Sequence, residues 1–201
     1  LVIGAGSAGM KAALTLAQAG RKVILVEKSP NIGGLAVRLE EVFPTMECAP
    51  CMLEPIMGEI LHGEHSANIE LMTMSEVVSQ VGFWGNYAVS IRRKPRYINP
   101  LICIGCGECV NVCPVKTDNE FSGGINHRGA IAFPFPGALP NLPFIDYQAC
   151  LRYTGEDCEL CRGACPVSGA VDYQDTEEIF ERKVGAVLIA VGAGLYKHSK
   201  L

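Results

Sequence analysis

The chain has 201 residues, 49% of them apolar, and a formal net charge of −4. That is room for one large or two small domains around a packed core, and a charged fraction of 19% argues against disorder. The weakly acidic balance supplies no basic field, so no nucleic-acid partner is expected. No apolar run, Val187–Val191 included, has the length of a transmembrane segment.

Leu1–Ile3 reads as a strand that enters Gly4-Ala-Gly6-Ser7-Ala8-Gly9 and then a helix. With no initiator methionine and so short a first strand, the chain is expected to be a portion of a longer polypeptide, with no secretory leader ahead of it. In the helix, Met10, Ala13, Leu14 and Ala17 recur at helical spacing and Gly20 stops it. Val23–Val26 is an all-apolar strand, and Glu27 follows at once. Strand, glycine turn, helix, strand and acid in this order form the dinucleotide fingerprint. The glycines permit the turn and close backbone approach to a pyrophosphate, the helix N-terminus stabilises the phosphate charge, and Glu27 can accept from ribose hydroxyls.

Pro44–His62 is expected to hold a short helix around Leu53–Leu61. Ile69–Thr73, Val77–Val81 and Tyr87–Ile91 read as three strands of a meander, with Gly82–Asn86 as a turn. Arg92, Arg93, Lys94 and Arg96 read as a solvated basic edge. Phe133–Pro143 reads as an extended connector, and Glu177–Lys183 as a charged return to the closing strand.

Cys103, Cys106, Cys109 and Cys113 follow the C-x2-C-x2-C-x3-C-P pattern that wraps a cubane iron–sulfur cluster. Cys150, Cys158, Cys161 and Cys165 repeat it, with seven residues (Leu151–Asp157) where two are usual. Because the last cysteine of each run crosses over in two-cluster ferredoxins, one [4Fe-4S] cluster takes Cys103, Cys106, Cys109 and Cys165. The other takes Cys150, Cys158, Cys161 and Cys113. Zinc needs neither the third cysteine at a further two-residue step nor the twice-repeated Cys-Pro ending. Such ligation requires reduced thiols, so a cytoplasmic and anaerobic setting is expected. Cys48 and Cys51 are left over. They fit a redox dithiol, half of a zinc site with His62 and His65, ligands of a further cluster completed from outside this chain, or inert thiols.

The run Glu27–Gly34, with its second glycine pair, resembles the glutathione-reductase-type FAD domains, which close on an apolar strand and small-residue turn like Val187–Ala193. That resemblance implies FAD, with contacts from Gly4, Gly6, Ser7, Ala8, Gly9, Glu27, Lys28, Gly33, Gly34, Thr45, Val77, Ala190 and Gly192. The whole order resembles the heterodisulfide reductase A-type family of FAD and iron–sulfur proteins. The resemblance is carried by Glu27–Gly34, Phe43-Pro-Thr45 leading to Cys48 and Cys51, Lys94-Pro-Arg96-Tyr97, Phe133-Pro-Phe135-Pro136 and the long Cys150–Cys158 spacing. It implies an α/β, Rossmann-like FAD domain (residues 1–95 and 184–201) with an inserted α+β two-cluster ferredoxin domain (96–183).

The function so implied is an electron-transfer subunit working with other iron–sulfur subunits, in some members by electron bifurcation. Flavins exchange one or two electrons and cubane clusters one each, so the residues themselves point to an adapter between the two. No catalytic acid, base or nucleophile constellation stands out, and substrate reduction is expected in a partner. The alternative is a self-contained oxidoreductase taking hydride from NAD(P)H at a nucleotide domain outside this chain.

Overall fold

A computed structural model describes residues 1–194; residues 195–201 of the expected closing segment lie outside the described residues. Strand β1 (Val2–Ile3) runs through the glycine turn into helix α1 (Ser7–Gln18), which returns the chain to β2 (Val23–Val26). A small hairpin, β3 (Glu41–Val42) with β4 (Glu47–Cys48), precedes helix α2 (Ala49–His62). Strand β5 (Ile69–Met72) then pairs in parallel with β2, and the closing strand β13 (Leu188–Ile189) pairs in parallel with β1. The result is a four-stranded parallel sheet in the order β13-β1-β2-β5. The apolar stripe of α1 expected from its spacing is buried: Met10 and Ala13 pack with Met57 and Ile60 of α2 over Val2 and Leu25. This is the helix-covered α/β layer that an all-apolar strand such as β2 demands.

The other face is covered by an antiparallel sheet of β6 (Ser75–Phe83), β7 (Asn86–Arg93) and β12 (Glu178–Val184), in the order β12-β7-β6. Val89 and Ile91 pack there against Val26 and Met72. Two expectations are corrected. Ile69–Thr73 is not a meander strand, because its first four residues pair with Val23–Val26 in the parallel sheet. The meander's third strand is instead Glu178–Val184, within the stretch expected as a charged return. Phe180 and Val184 turn inward while Glu181 and Lys183 stay exposed, a strand alternation that the charges mask. The chain thus re-enters this sheet at Glu178, ahead of the boundary expected at 184.

Residues 94–177 lie between β7 and β12. They hold two β-ribbons, β8 (Thr117–Asp118) with β9 (His127–Arg128) and β10 (Ile131–Ala132) with β11 (Phe144–Ile145). They also hold short helices α3 (Glu108–Asn111), α4 (Leu151–Thr154) and α5 (Leu160–Ala164). The core of this unit joins Tyr97, Ile98, Ile131, Ile145, Val171 and Tyr173 to Cys109, Cys150 and Cys161. So little regular structure and so small an apolar core is the pattern of a unit held by covalent or metal staples.

The unit is not loosely hung. At its neck, Asp175 pairs with Arg93 at 2.9 Å and accepts from the backbone N–H of Arg96 (2.8 Å) and Tyr97 (3.1 Å). The expected connector Phe133–Pro143 also packs. Phe135 and Ala138 join the core of the parallel sheet, Phe135 stacks on Phe121 at 4.4 Å, and the Leu139 carbonyl accepts from the Ile32 N–H at 2.9 Å.

Candidate functional site

The dinucleotide residues gather at the carboxyl ends of the parallel strands, where open α/β sheets bind ligands. Gly4 has φ +99°, and a Cβ there would collide with the Ala190 carbonyl oxygen; one on Gly9 would collide with the Gly4 carbonyl. The turn therefore brings β1, α1 and the Ala190 end of β13 into contact that only glycine permits. Helix α1 begins at Gly6 with no side-chain cap, and Ser7 and Ala8 are exposed, so the first-turn N–H groups face outward as an anion site requires.

Glu27 is buried. One carboxylate oxygen accepts from the Ala5 N–H and the other from the Ser29 N–H, each at 2.8 Å. Each oxygen keeps a second lone pair for a ligand hydroxyl. The Gly33-Gly34 pair lies on the fingerprint loop: Gly33 donates to the Ala5 carbonyl at 2.8 Å and bridges Gly6. Lys28 is exposed beside Glu27, Val77 is half-buried in β6, and Gly192 is exposed past the end of β13. Thr45 sits on the exposed turn of the β3–β4 hairpin, where its hydroxyl donates to Glu47 at 3.1 Å.

The eight cysteines of the 94–177 unit divide between two cavities. Cys103, Cys106, Cys109 and Cys165 line one, with Ile98, Pro143 and Val171. Cys113, Cys150, Cys158 and Cys161 line the other, with Ile131, Ile145 and Tyr173. Glycines shape the first ligand loop: Gly105 at φ +67° abuts Asn141, and Gly107 at φ +83° caps α3. Burial, followed by the neighbouring Cys161 and Cys103 sulfurs, pushes the Cys109 thiol up to about 12. Such a thiol is held as a thiolate by metal ligation rather than by its surroundings. Four sulfurs walling one cavity are the donor set of a cubane cluster, and the residues present fit two such groups. Among the described residues, no group of three or more His, Cys, Asp and Glu side chains is arranged to hold a single metal ion.

Cys48 and Cys51 are joined by a disulfide across the N-terminus of α2, with Cα atoms 5.3 Å apart. This is the oxidised form of a dithiol, one of the roles expected for the pair.

Three residues that sequence reasoning did not assign to the site bear on these cavities. Tyr173 lies with its hydroxyl 3.0 Å from Cys161 Sγ, buried, between the guanidinium groups of Arg152 and Arg162 at 4.5 and 4.3 Å from its ring centre. Asp175 fastens the neck. Arg96, expected on a solvated edge, is 5% exposed and donates to Pro30, Leu142, Pro143 and Thr73. The other members of its basic run do meet acids, Arg92 and Lys94 with Glu76 and Arg93 with Asp175. Proline after Lys94 ends the strand alternation and turns Arg96 inward, a signal present in Lys94-Pro95-Arg96.

The family described as FAD dependent oxidoreductase matches residues 1–74, and that described as 4Fe-4S binding domain matches residues 96–117. The A-type iron-sulfur subunit of the CoB–CoM heterodisulfide reductase of Methanocaldococcus jannaschii is 44% identical over 96% of this chain and 28% of its own length. The A-type subunit of the H(2):CoB-CoM heterodisulfide,ferredoxin reductase of Methanothermobacter marburgensis is 43% identical over 98% of this chain and 28% of its own. One of the A-type iron-sulfur subunits of CoB–CoM heterodisulfide reductase in Methanopyrus kandleri is 45% identical over all of this chain and 29% of its own. This chain thus spans less than a third of the length of those curated relatives. Among solved structures, L-proline dehydrogenase from P. horikoshii aligns at a TM-score of 0.38 and 21% identity over 46% of this chain and 18% of its own, too weakly to bear on the fold. Over nearly all its residues, the chain is thus similar in sequence to the A-type subunits of heterodisulfide reductases.

Proposed function

We propose that this chain is the flavin and iron–sulfur electron-transfer portion of a heterodisulfide-reductase-like complex. The observation that carries the reading is the pair of cavities, each walled by four cysteines, in a unit fastened to a dinucleotide-type sheet. Gly4, Gly6, Ser7, Ala8, Gly9, Glu27, Lys28, Gly33, Gly34, Thr45, Val77, Ala190 and Gly192 would hold FAD. Cys103, Cys106, Cys109 and Cys165 would hold one [4Fe-4S] cluster, and Cys113, Cys150, Cys158 and Cys161 the other. When bound, the flavin supplies exchange of electron pairs or single electrons, and each cluster supplies single-electron exchange.

The chain's own residues bind and orient. Glu27 fixes the glycine loop, the α1 N-terminus would receive the diphosphate, and the small residues around the ligands would let backbone donors reach the cluster sulfurs. On this reading the terminal acceptor belongs to partner iron–sulfur or reductase subunits, in a reducing cytoplasm. Bifurcation, with pairs arriving at the flavin and single electrons leaving on two routes, is the finer form of this reading.

The test is anaerobic purification of the whole protein with its partners, followed by iron, sulfide and flavin stoichiometry and EPR. About eight irons from these two sites and bound flavin are expected. Zinc without acid-labile sulfide would sink the proposal. Rapid flavin reduction by NADH or NADPH in the absence of partners would point to the self-contained oxidoreductase instead.

A further inference from the structure

Arg96 is a buried cation whose guanidinium meets no carboxylate among the described residues. Its Nη1 donates to the Leu142 and Pro143 carbonyls at 3.3 and 3.4 Å, and its Nη2 to the Pro30 carbonyl at 2.7 Å and the Thr73 hydroxyl at 2.8 Å. Every acceptor is neutral. The nearest acid, Asp175, accepts the Arg96 backbone N–H but spends its charge on Arg93 at 2.9 Å. Burial pulls the guanidinium down to about 10, with Cys103 the leading counteracting charge, so it remains a cation at neutral pH. A buried cation requires a compensating anion.

The two ends of Arg96 reach different parts of the molecule. Pro30 follows the Glu27 turn, and Thr73 follows β5, both at the carboxyl edge of the parallel sheet. Pro143 lines the cavity walled by Cys103, Cys106, Cys109 and Cys165. The guanidinium therefore sits just behind the wall of that cavity and just beneath the flavin half. The other cavity has arginines too, but Arg152 and Arg162 are 31% and 43% exposed at the side chain and both pair with Glu159. Solvent and that carboxylate screen them.

We propose that Arg96 is the counter-charge of the Cys103, Cys106, Cys109 and Cys165 site, a positioning residue that raises the reduction potential of that cluster and locks the cluster to the flavin half. The inference rests on the functional reading above. A four-thiolate cubane is anionic in both redox states and gains a further negative charge on reduction. A fixed cation in a low-dielectric wall therefore favours the reduced form. The buried arginine near the second site, Arg128, is already neutralised by Glu120 and Asp146, so that site is left at the lower potential.

The test is an EPR-monitored redox titration of the intact, anaerobically purified protein carrying Arg96→Gln or Arg96→Lys, the two cluster signals being assigned with Cys165→Ser. Arg96→Gln should lower the midpoint of the first cluster by about 59 mV, a tenfold change in its reduced-to-oxidised ratio, and leave the second cluster and the flavin content unmoved. Arg96→Lys keeps the charge while losing the planar fork, and should hold the first midpoint near its wild-type value. An unmoved first midpoint in Arg96→Gln, equal shifts of both clusters, or a lysine variant that shifts as far as the glutamine variant would each overturn the proposal. If Arg96→Gln does not accumulate, Arg96→Lys tests the proposal by itself, since a first midpoint lowered by about 59 mV or more with the charge retained would also overturn it. Absence of flavin or of either cluster from the wild-type protein would instead defeat the functional reading on which the inference rests.

Discussion

Replacing Tyr173 by Phe removes one hydroxyl and little else. The ring is 9% exposed and lies against the guanidinium groups of Arg152 and Arg162, so phenylalanine keeps the packing and both cation–π contacts. Burial raises the phenol pKa, so the hydroxyl, 3.0 Å from Cys161 Sγ, stays protonated and would donate to that sulfur once it ligates a cluster. A hydrogen bond to a charged acceptor is worth about 1.5–3 kcal/mol, and it strengthens as the cluster gains an electron. If about 1 kcal/mol of it is specific to the reduced state, the midpoint of the Cys113, Cys150, Cys158 and Cys161 cluster falls by about 40 mV. The cluster of Cys103 and its partners, which Tyr173 does not touch, should keep its potential. An EPR-monitored titration of the anaerobic protein reads both at once, and thermal unfolding should show a loss of about 1 kcal/mol. An unchanged midpoint with the cluster fully assembled would refute the hydroxyl's tuning role, and a shift confined to the other cluster would refute the assignment of Cys161.

Gly4→Ala forces a Cβ into the Ala190 carbonyl at a positive φ, so flavin content should fall several-fold with a stability loss of about 2 kcal/mol or more, read by flavin absorbance and melting. Cys165→Ser should remove the EPR signal of the cluster containing Cys103, not that of the cluster containing Cys158, although Cys165 is nearer in sequence to the latter; loss of the Cys158 cluster alone would invert the crossed assignment. Arg128→Met leaves Asp146, 23% exposed, without its cation while Glu120, 66% exposed, turns to water, and should cost about 1–2 kcal/mol in denaturant unfolding, with flavin binding retained.

The parts of this molecule that were legible in the sequence are those whose physics is local. The glycine fingerprint, α1 and β2 follow from spacing, since a tight turn, an amphipathic stripe and a doubly covered strand each leave their own period. The two cysteine runs are likewise local patterns, whereas the exchange of Cys113 and Cys165 between them follows from the two-cluster ferredoxin pattern rather than from local spacing. Pairing partners were not local. Ile69–Met72 has the same apolar character in either sheet, and only the register with Val23–Val26 decides that it is parallel. Glu178–Val184 hid its alternation under four charged residues, because its inward face needs only Phe180, Val184 and the aliphatic stem of Arg182. Arg96 was hidden by its neighbours: the three other basic residues in its run meet acids, and Arg96 is set apart only by the proline before it and by what folds over it.

The position of the inserted unit explains why it can serve as more than a tethered carrier. Its ends leave from Arg93 and return at Glu178, which are directly paired across β7 and β12. Insertion between adjacent antiparallel partners adds little loop-closure cost to the host sheet, because the host already holds the two ends together. Such an attachment alone would still permit the unit to swing. Three further contacts oppose this. Asp175 clasps Arg93 and the Arg96–Tyr97 backbone, Phe135 is embedded in the core under the parallel sheet, and Arg96 reaches from Pro143 to Pro30 and Thr73. Two of these are buried, so reorienting the unit would expose an aromatic side chain and leave a cation without its carbonyl acceptors. Single-electron exchange depends steeply on separation, and a unit fixed by buried contacts keeps that separation constant through many redox cycles. The sheet that would bind the flavin and the cysteine-lined cavities are therefore one rigid piece, and the residues that make it so lie in the neck and the proline-rich segment rather than in either cofactor motif.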